Sequence, residues 1–293
     1  MKDMKPLIEF KNVSKWFGDE ENRTCVLKNI NLSIYEGEFL AIVGFTGSGK
    51  TTLVNLMTGL LFPDKGEVLY KGKAIEGPSL ERGIIFQNYS LLPWMSVYEN
   101  VQLGVDAMYG SWSKDRKDKH IRDYIEMVNL TPAIDKKPKE LSGGMRQRVS
   151  VARVLATDPE LLLMDEPLGA LDALTRGNLQ VEILKIWSKN RRTALLITND
   201  VDEGLYMADR IIPLDPGPEA TLGPEYIIDV ERPRNKKLLN SNESFIATRN
   251  ELLKYLEALS EANKMNKNND YELPDLQPMP PNSRVFPFIK KAS

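Results

Sequence analysis

Two short segments hold residue types that could grip a chain of phosphates and cleave it. The first is G-F-T-G-S-G-K-T, Gly44 to Thr51. Glycines at 44, 47 and 49 let the backbone curl with its N–H groups turned inward, Lys50 offers a cation to the outer phosphate oxygens, and Thr51 offers a hydroxyl to Mg2+. Phe45, Thr46 and Ser48 fall in the same stretch, Thr52 follows it directly, and all four would line the same cradle. The second segment, L-L-L-M-D-E-P, leaves Asp165 and Glu166 at the end of an apolar run, at the sheet edge where ligands of open α/β folds collect. Asp165 suits the Mg2+ shell, and Glu166, pointing elsewhere, could orient or deprotonate an attacking water. A glycine-rich turn by itself can bind nothing, and an Asp-Glu pair by itself is more often a solvated strand end. The apolar strand before the glycine loop and the helical stretch beginning near Lys50 turn both readings toward phosphate chemistry.

A third segment, L-S-G-G-M-R-Q-R from Leu141 to Arg148, reads as the start of a helix. Ser142 is a natural N-cap, and Gly143 and Gly144 leave room for a phosphate to approach the N–H groups of the first turn. In isolation it would be a helix start and nothing more.

The elements that must position these residues alternate. Phe39 to Val43, Gly83 to Phe86, Leu161 to Met164 and Ala194 to Thr198 read as buried strands, several followed by helical patterns. That alternation predicts an α/β fold with a mainly parallel sheet. Ile121, Tyr124, Ile125 and Val128 recur at helical spacing within Asp115 to Leu130, an amphipathic helix set apart from the strands, and roughly 93–156 is assigned to a helical subdomain. D-P-G-P-E-A-T-L-G-P, Asp215 to Pro224, ends the alternation, and a short strand, Tyr226 to Val230, follows. The domain reading is therefore 1–235 for the main body, 236–262 for a C-terminal helical extension with its helix at Glu251 to Ala262, and 263–293 for a disordered tail that opens on N-K-M-N-K-N-N-D.

Among 293 residues, 39 Lys and Arg against 41 Asp and Glu leave a formal charge of -2, so no global field draws the chain to nucleic acid or an anionic membrane. The one cysteine, Cys25, cannot form an internal disulfide. No apolar run approaches the about 20 residues that cross a bilayer. A cytoplasmic compartment is expected, with any membrane role supplied by a partner.

From about Ile8 to about Pro233 the chain resembles the nucleotide-binding subunit of ABC transporters, whose motifs stand here in the family's order and spacing. The resemblance implies a P-loop NTPase ABC-ATPase fold: a mainly parallel core sheet, an antiparallel β portion and an inserted helical subdomain. It implies ATP and Mg2+ as ligands, the metal being held through Thr51, Gln87 and Asp165. Each ATP would lie between the P-loop of one ATPase subunit and Ser142, Gly143, Gly144 and Gln147 of a second. Gln87, in I-I-F-Q-N-Y-S, would contact Mg2+ and the attacking water, and Asp172, in G-A-L-D, would communicate across the dimer. Phe17, in S-K-W-F-G, matches the aromatic on which adenine stacks. Trp16 is an alternative for that role, and ordinary core packing is an alternative for either.

One position departs from the family. A histidine usually stands where A-L-L-I-T-N-D places Asn199, and the only histidine, His120, belongs to the surface of the helical subdomain. An asparagine amide can donate to a γ-phosphate, but it is shorter and cannot be protonated. Slowed hydrolysis at this P-loop is expected, either as one slow site of a heterodimer or as a substitution the lineage tolerates. In the family, a coupling helix of the membrane subunit docks near N-Y-S-L-L-P-W-M-S-V-Y-E-N-V, where Leu91, Leu92, Pro93 and Trp94 could line a groove. The wording of that stretch, of D-E-P-L-G-A-L-D-A-L-T-R and of E-R-P-R resembles the nitrate and bicarbonate import branch, with sulfonate, taurine and cyanate importers as alternatives. The resemblance thus implies integral permease subunits, a second ATPase subunit in a homodimer or heterodimer, indirectly a solute-binding protein, and a peripheral place on the cytoplasmic face of the inner membrane. A non-transport ATPase acting on ribosomes or DNA is the alternative of a different class.

Overall fold

The computed structural model describes residues 5–19, 22–169 and 171–269. A four-stranded antiparallel sheet joins β1 (Pro6–Phe17), β2 (Thr24–Tyr35), β4 (Lys65–Tyr70) and β5 (Lys73–Ala74) in the order β2-β1-β4-β5. The larger, six-stranded sheet contains β3 (Phe39–Gly44), β6 (Arg82–Ile85), β7 (Leu161–Asp165), β8 (Thr193–Thr198), β9 (Arg210–Leu214) and β10 (Tyr226–Ile227) in the order β10-β9-β3-β8-β7-β6. All its neighbours are parallel except the β10 edge.

Every residue of β3, β7 and β8 is buried, which explains why these strands read as unbroken apolar runs rather than as alternation. Successive side chains still point to opposite faces. Leu40, Ile42, Leu161, Leu163, Leu195 and Ile197 pack into one core with β1 and β2 and with Leu53 and Met57 of α1 (Lys50–Thr58). Ala41, Val43, Leu162, Met164, Ala194 and Leu196 pack into the other. That second core includes α2 (Val97–Met108), α3 (Lys114–Met127) and α4 (Gly143–Leu155), which form the helical subdomain, together with α5 (Ala173–Asn190) and α6 (Val201–Met207).

The described residues close with α7 (Lys236–Leu239) and α8 (Glu243–Asn269). Leu239, Phe245 and Leu252 are buried in the same second core, so this arm is packed onto the body. Two expectations are corrected here. The strand foreseen over Tyr226 to Val230 stops at Ile227, because the Val230 N–H bonds the Ile228 carbonyl at 3.0 Å and turns the chain off the sheet edge. The helix foreseen over Glu251 to Ala262 runs from Glu243 to Asn269, taking in most of the segment read as a disordered linker. That segment has no proline or glycine, and extending an existing helix costs far less than starting one. Residues 270–293 lie outside the described residues.

Candidate functional site

The phosphate-binding loop is a consequence of where β3 lies. Gly44, its last residue, is paired beside Leu214 of β9, and a Cβ there would stand 2.9 Å from the Leu214 carbonyl oxygen. The loop then turns through Gly49, whose φ of 95° is left-handed backbone that glycine adopts freely. Gly49 is also the N-cap of α1, and no side chain caps it, nor does an acidic residue sit in the first turn. From α2 to α7 every helix start is capped by a Ser, Asp or Asn side chain. α1 therefore keeps its first-turn N–H groups and the positive end of its dipole for an anion.

Lys50 is 5% exposed. Its ammonium donates to the carbonyls of Gly44 at 3.0 Å and Phe45 at 2.8 Å and stands 3.3 Å from Glu166 Oε1. Asp165 and Glu166 follow one another but diverge. Burial raises the Asp165 carboxyl above the ordinary range, a shift that the neighbouring Thr51 hydroxyl opposes. Glu166 has left-handed backbone, φ 45°, with its N–H bonded to the Ile197 carbonyl at 2.9 Å. That turn sends its carboxylate toward Lys50 and toward Gln87, whose Nε2 donates to Oε2 at 3.3 Å. Five groups foreseen from sequence thus stand together, with Lys50 and Gln87 against Glu166 and Thr51 beside Asp165. Asn199 stands exposed two residues past Ile197, just beyond the end of β8, the strand paired with β7 and Asp165.

The third segment lies on the helical subdomain. Ser142 caps α4 by accepting the Met145 N–H at 3.3 Å. A Cβ on Gly144 would come 2.6 Å from Thr175 Cγ2, so glycine is required for α4 to reach the start of α5. Asp172 caps α5, accepting the Thr175 N–H at 3.0 Å, and those bonds to Thr175 hold its carboxyl below the ordinary range. Gln147 needs a correction. It is fully buried, one turn into α4 on the face turned inward, and so is not presented with Ser142 and Gly143.

Phe17 is 42% exposed at the end of β1, which removes ordinary core packing as an account of it. The Trp16 ring is faced by Arg23 at 5.2 Å and Lys65 at 5.5 Å. His120 is not a plain surface residue. It is half-buried, with Nε2 2.9 Å from the Ala156 carbonyl oxygen and its ring against Trp112 and Tyr124.

Several participants escaped sequence reading. The loop after β9 backs the phosphate loop, since a Cβ on Gly217 would meet the Gly47 carbonyl oxygen at 3.3 Å. Asp215 in that loop accepts the Tyr255 hydroxyl of α8 at 3.0 Å. Arg153 of α4 donates to the carbonyls of Ser90 and Tyr89 at 2.7 and 3.1 Å, tying α4 to the chain just after Gln87. An apolar groove of about 510 Å3 lies between Leu60, Leu80, Ile84, Phe86 and Leu103. In the stretch foreseen as a groove, Leu91 is partly buried against the core, and Trp94 is 65% exposed.

An uncapped helix start behind a glycine loop, a buried lysine and two diverging carboxylates define a nucleoside-triphosphate hydrolysing site. Residues 27–169 match the ABC transporter family. The chain is 43% identical to the bicarbonate transport ATP-binding protein CmpD of Synechocystis sp. over 85% of this chain and 88% of that one. It is 41% identical to the nitrate transport protein NasD of Klebsiella oxytoca over 86% of this chain and 97% of that one. Among solved structures, a dimeric ATP-binding cassette in a post-hydrolysis state, bound to ADP and Pi, is 31% identical with a TM-score of 0.69 and covers 76% of this chain and 100% of that chain. The chain belongs to the ABC transporter family as an ATP-binding, ATP-hydrolysing subunit.

Proposed function

We propose that this chain is the ATPase of an importer for a small planar oxyanion, nitrate first. The observation that carries the solute is the likeness to nitrate and bicarbonate transport proteins over most of both chains; bicarbonate is the second reading, favoured by the same likeness. ATP lies with its phosphates on the α1 start and Lys50, and its base on Phe17. Mg2+ suits the donors at hand, because the Thr51 hydroxyl, the Asp165 carboxylate and the Gln87 amide oxygen are hard oxygen ligands. When bound, the metal supplies charge neutralisation of the phosphates. Glu166 orients and deprotonates the attacking water, and Gln87 and Asn199 hold hydrogen bonds around it. Ser142, Gly143 and Gly144 close over the nucleotide of a second ATPase subunit, a reading supported by the dimeric solved relative, and Asp172 lies at that junction.

Among the described residues no helix is long and apolar enough to cross a membrane. The groove at Leu60, Leu80 and Leu103 is an exposed apolar surface that would seat a helix of an integral permease subunit, and this supports the reading of a peripheral subunit on the cytoplasmic face of the inner membrane. Residues 1–235 form the nucleotide-binding body in this reading, and 236 onward an arm. The test is uptake of labelled nitrate and bicarbonate in a deletion strain complemented with the chain or with its Glu166→Gln variant. Nitrate uptake restored only by the unaltered chain supports the assignment; normal nitrate uptake without the chain, with bicarbonate, sulfonate or cyanate uptake lost, overturns it. Co-purification of an integral membrane protein separates this reading from a ribosomal or DNA factor.

A further inference from the structure

The hydrolytic edge is tied to the C-terminal arm by a line of buried polar groups. Thr198 ends β8, one residue before Asn199, and is 2% exposed. Its hydroxyl oxygen accepts the Asp200 N–H at 3.0 Å, and Asp200 Oδ1 in turn accepts the N–H of Glu203 on α6 at 3.1 Å. Gln180 of α5 donates through Nε2 to Glu203 Oε1 at 3.0 Å and accepts through Oε1 the ammonium of Lys236. Glu203 and Gln180 are both nearly sealed from water. The same ammonium lies 4.4 Å from the centre of the Tyr206 ring on α6, so the first residue of α7 touches α5 and α6 together. These are the helices whose starts matter. α5 begins at Asp172 and α6 at Asp200, and Arg176 pairs with Asp200 across them at 3.3 Å. Without the ammonium, the Gln180 oxygen is left buried with no donor, and the members of the row must shift to relieve it. The far end of that shift is residues 198–200.

We infer that Lys236 is a positioning residue for hydrolysis: through Gln180, Glu203 and Thr198 it sets where Asn199 stands, so the C-terminal arm governs turnover without touching nucleotide. This rests on the reading that Asn199 faces the terminal phosphate. A lysine that served packing alone would change the melting temperature and leave turnover of the folded molecules intact.

The full chain, in its membrane complex in proteoliposomes, is assayed with MgATP. Lys236→Met keeps the stem and removes the ammonium; it is expected to lower kcat about 3- to 10-fold with the KM for ATP held within about twofold. Lys236→Arg, which keeps a cationic donor, recovers at least about half of the rate. Gln180→Met breaks the line at another link and carries the same expectation as Lys236→Met, so a variant lost to misfolding leaves the other to decide. Asn199→Ala lowers kcat, and adding Lys236→Met to it lowers kcat little further. An unchanged kcat in Lys236→Met beside a lowered one in Asn199→Ala overturns the relay. A kcat unchanged in Asn199→Ala overturns instead the reading of Asn199 on which it rests. Loss of kcat and nucleotide affinity together, in step with a lowered melting temperature, assigns Lys236 to packing and also overturns the inference.

Discussion

Asn199→His should speed hydrolysis by the assembled ATPase. The position is fixed by backbone pairing: Asp165 is in register with Ile197, the Glu166 N–H bonds the Ile197 carbonyl at 2.9 Å, and Asn199 follows two residues later in the open. On the reading of Asn199 given above, a side chain there faces the terminal phosphate. A neutral amide donor contributes about 0.5–1.5 kcal/mol and a charge-assisted one about 1.5–3 kcal/mol, a difference of about 1 kcal/mol, or roughly fivefold in rate. The imidazole also reaches further and carries its charge only below its ordinary pKa of about 6.5 unless the phosphate holds it higher. The assay is steady-state ATP hydrolysis at saturating MgATP from pH 6 to 8, with nucleotide affinity measured separately. A gain that is largest at the acid end fits the reasoning. An unchanged kcat with normal nucleotide binding refutes it, and asparagine then stands as a tolerated substitution.

Two further expectations concern other parts of the site. Burial raises the Asp165 carboxyl above its ordinary range, so between its unfolded and folded pKa the unfolded chain releases its proton first and rising pH costs native stability. Asp165→Asn should therefore flatten the acid-side dependence of the melting temperature on pH and stabilise the nucleotide-free chain at neutral pH while abolishing hydrolysis; a lower melting temperature at neutral pH contradicts this. Tyr255→Phe removes the hydroxyl held by Asp215 in the loop that backs Gly47. Isothermal titration should read it as a loss of about 0.5–1.5 kcal/mol in ATP affinity with kcat preserved, and unchanged affinity argues that the loop holds its place without the arm.

The parts of the site that could be read from sequence are those built from neighbours in the chain. β3, the glycine loop and α1 are contiguous, and Asp165 and Glu166 announce themselves at the end of an apolar run. Their separation into two directions depends on one left-handed residue, a backbone state that the residue type does not reveal. Gln147 was misplaced because the motif was read as a string: it lies a full turn beyond Gly143, and its complete burial comes from tertiary packing that helical spacing does not reveal. The groove, the Gly217 contact and the row from Thr198 to Lys236 join residues distant in sequence through packing, and no local pattern marks them. The polar run after Ala262 lacks helix breakers, and it continues α8 because the helix preceding it is already anchored by Leu252.

The uncapped start of α1 makes nucleotide part of the protein's own fold. A phosphate chain completes a helix end that the sequence leaves unfinished, so occupancy is stored as resistance to unfolding: about 2.7 kcal/mol when free nucleotide stands at about a hundred times Kd. A chain that has lost its ATP is then also the chain most open to proteases and chaperones.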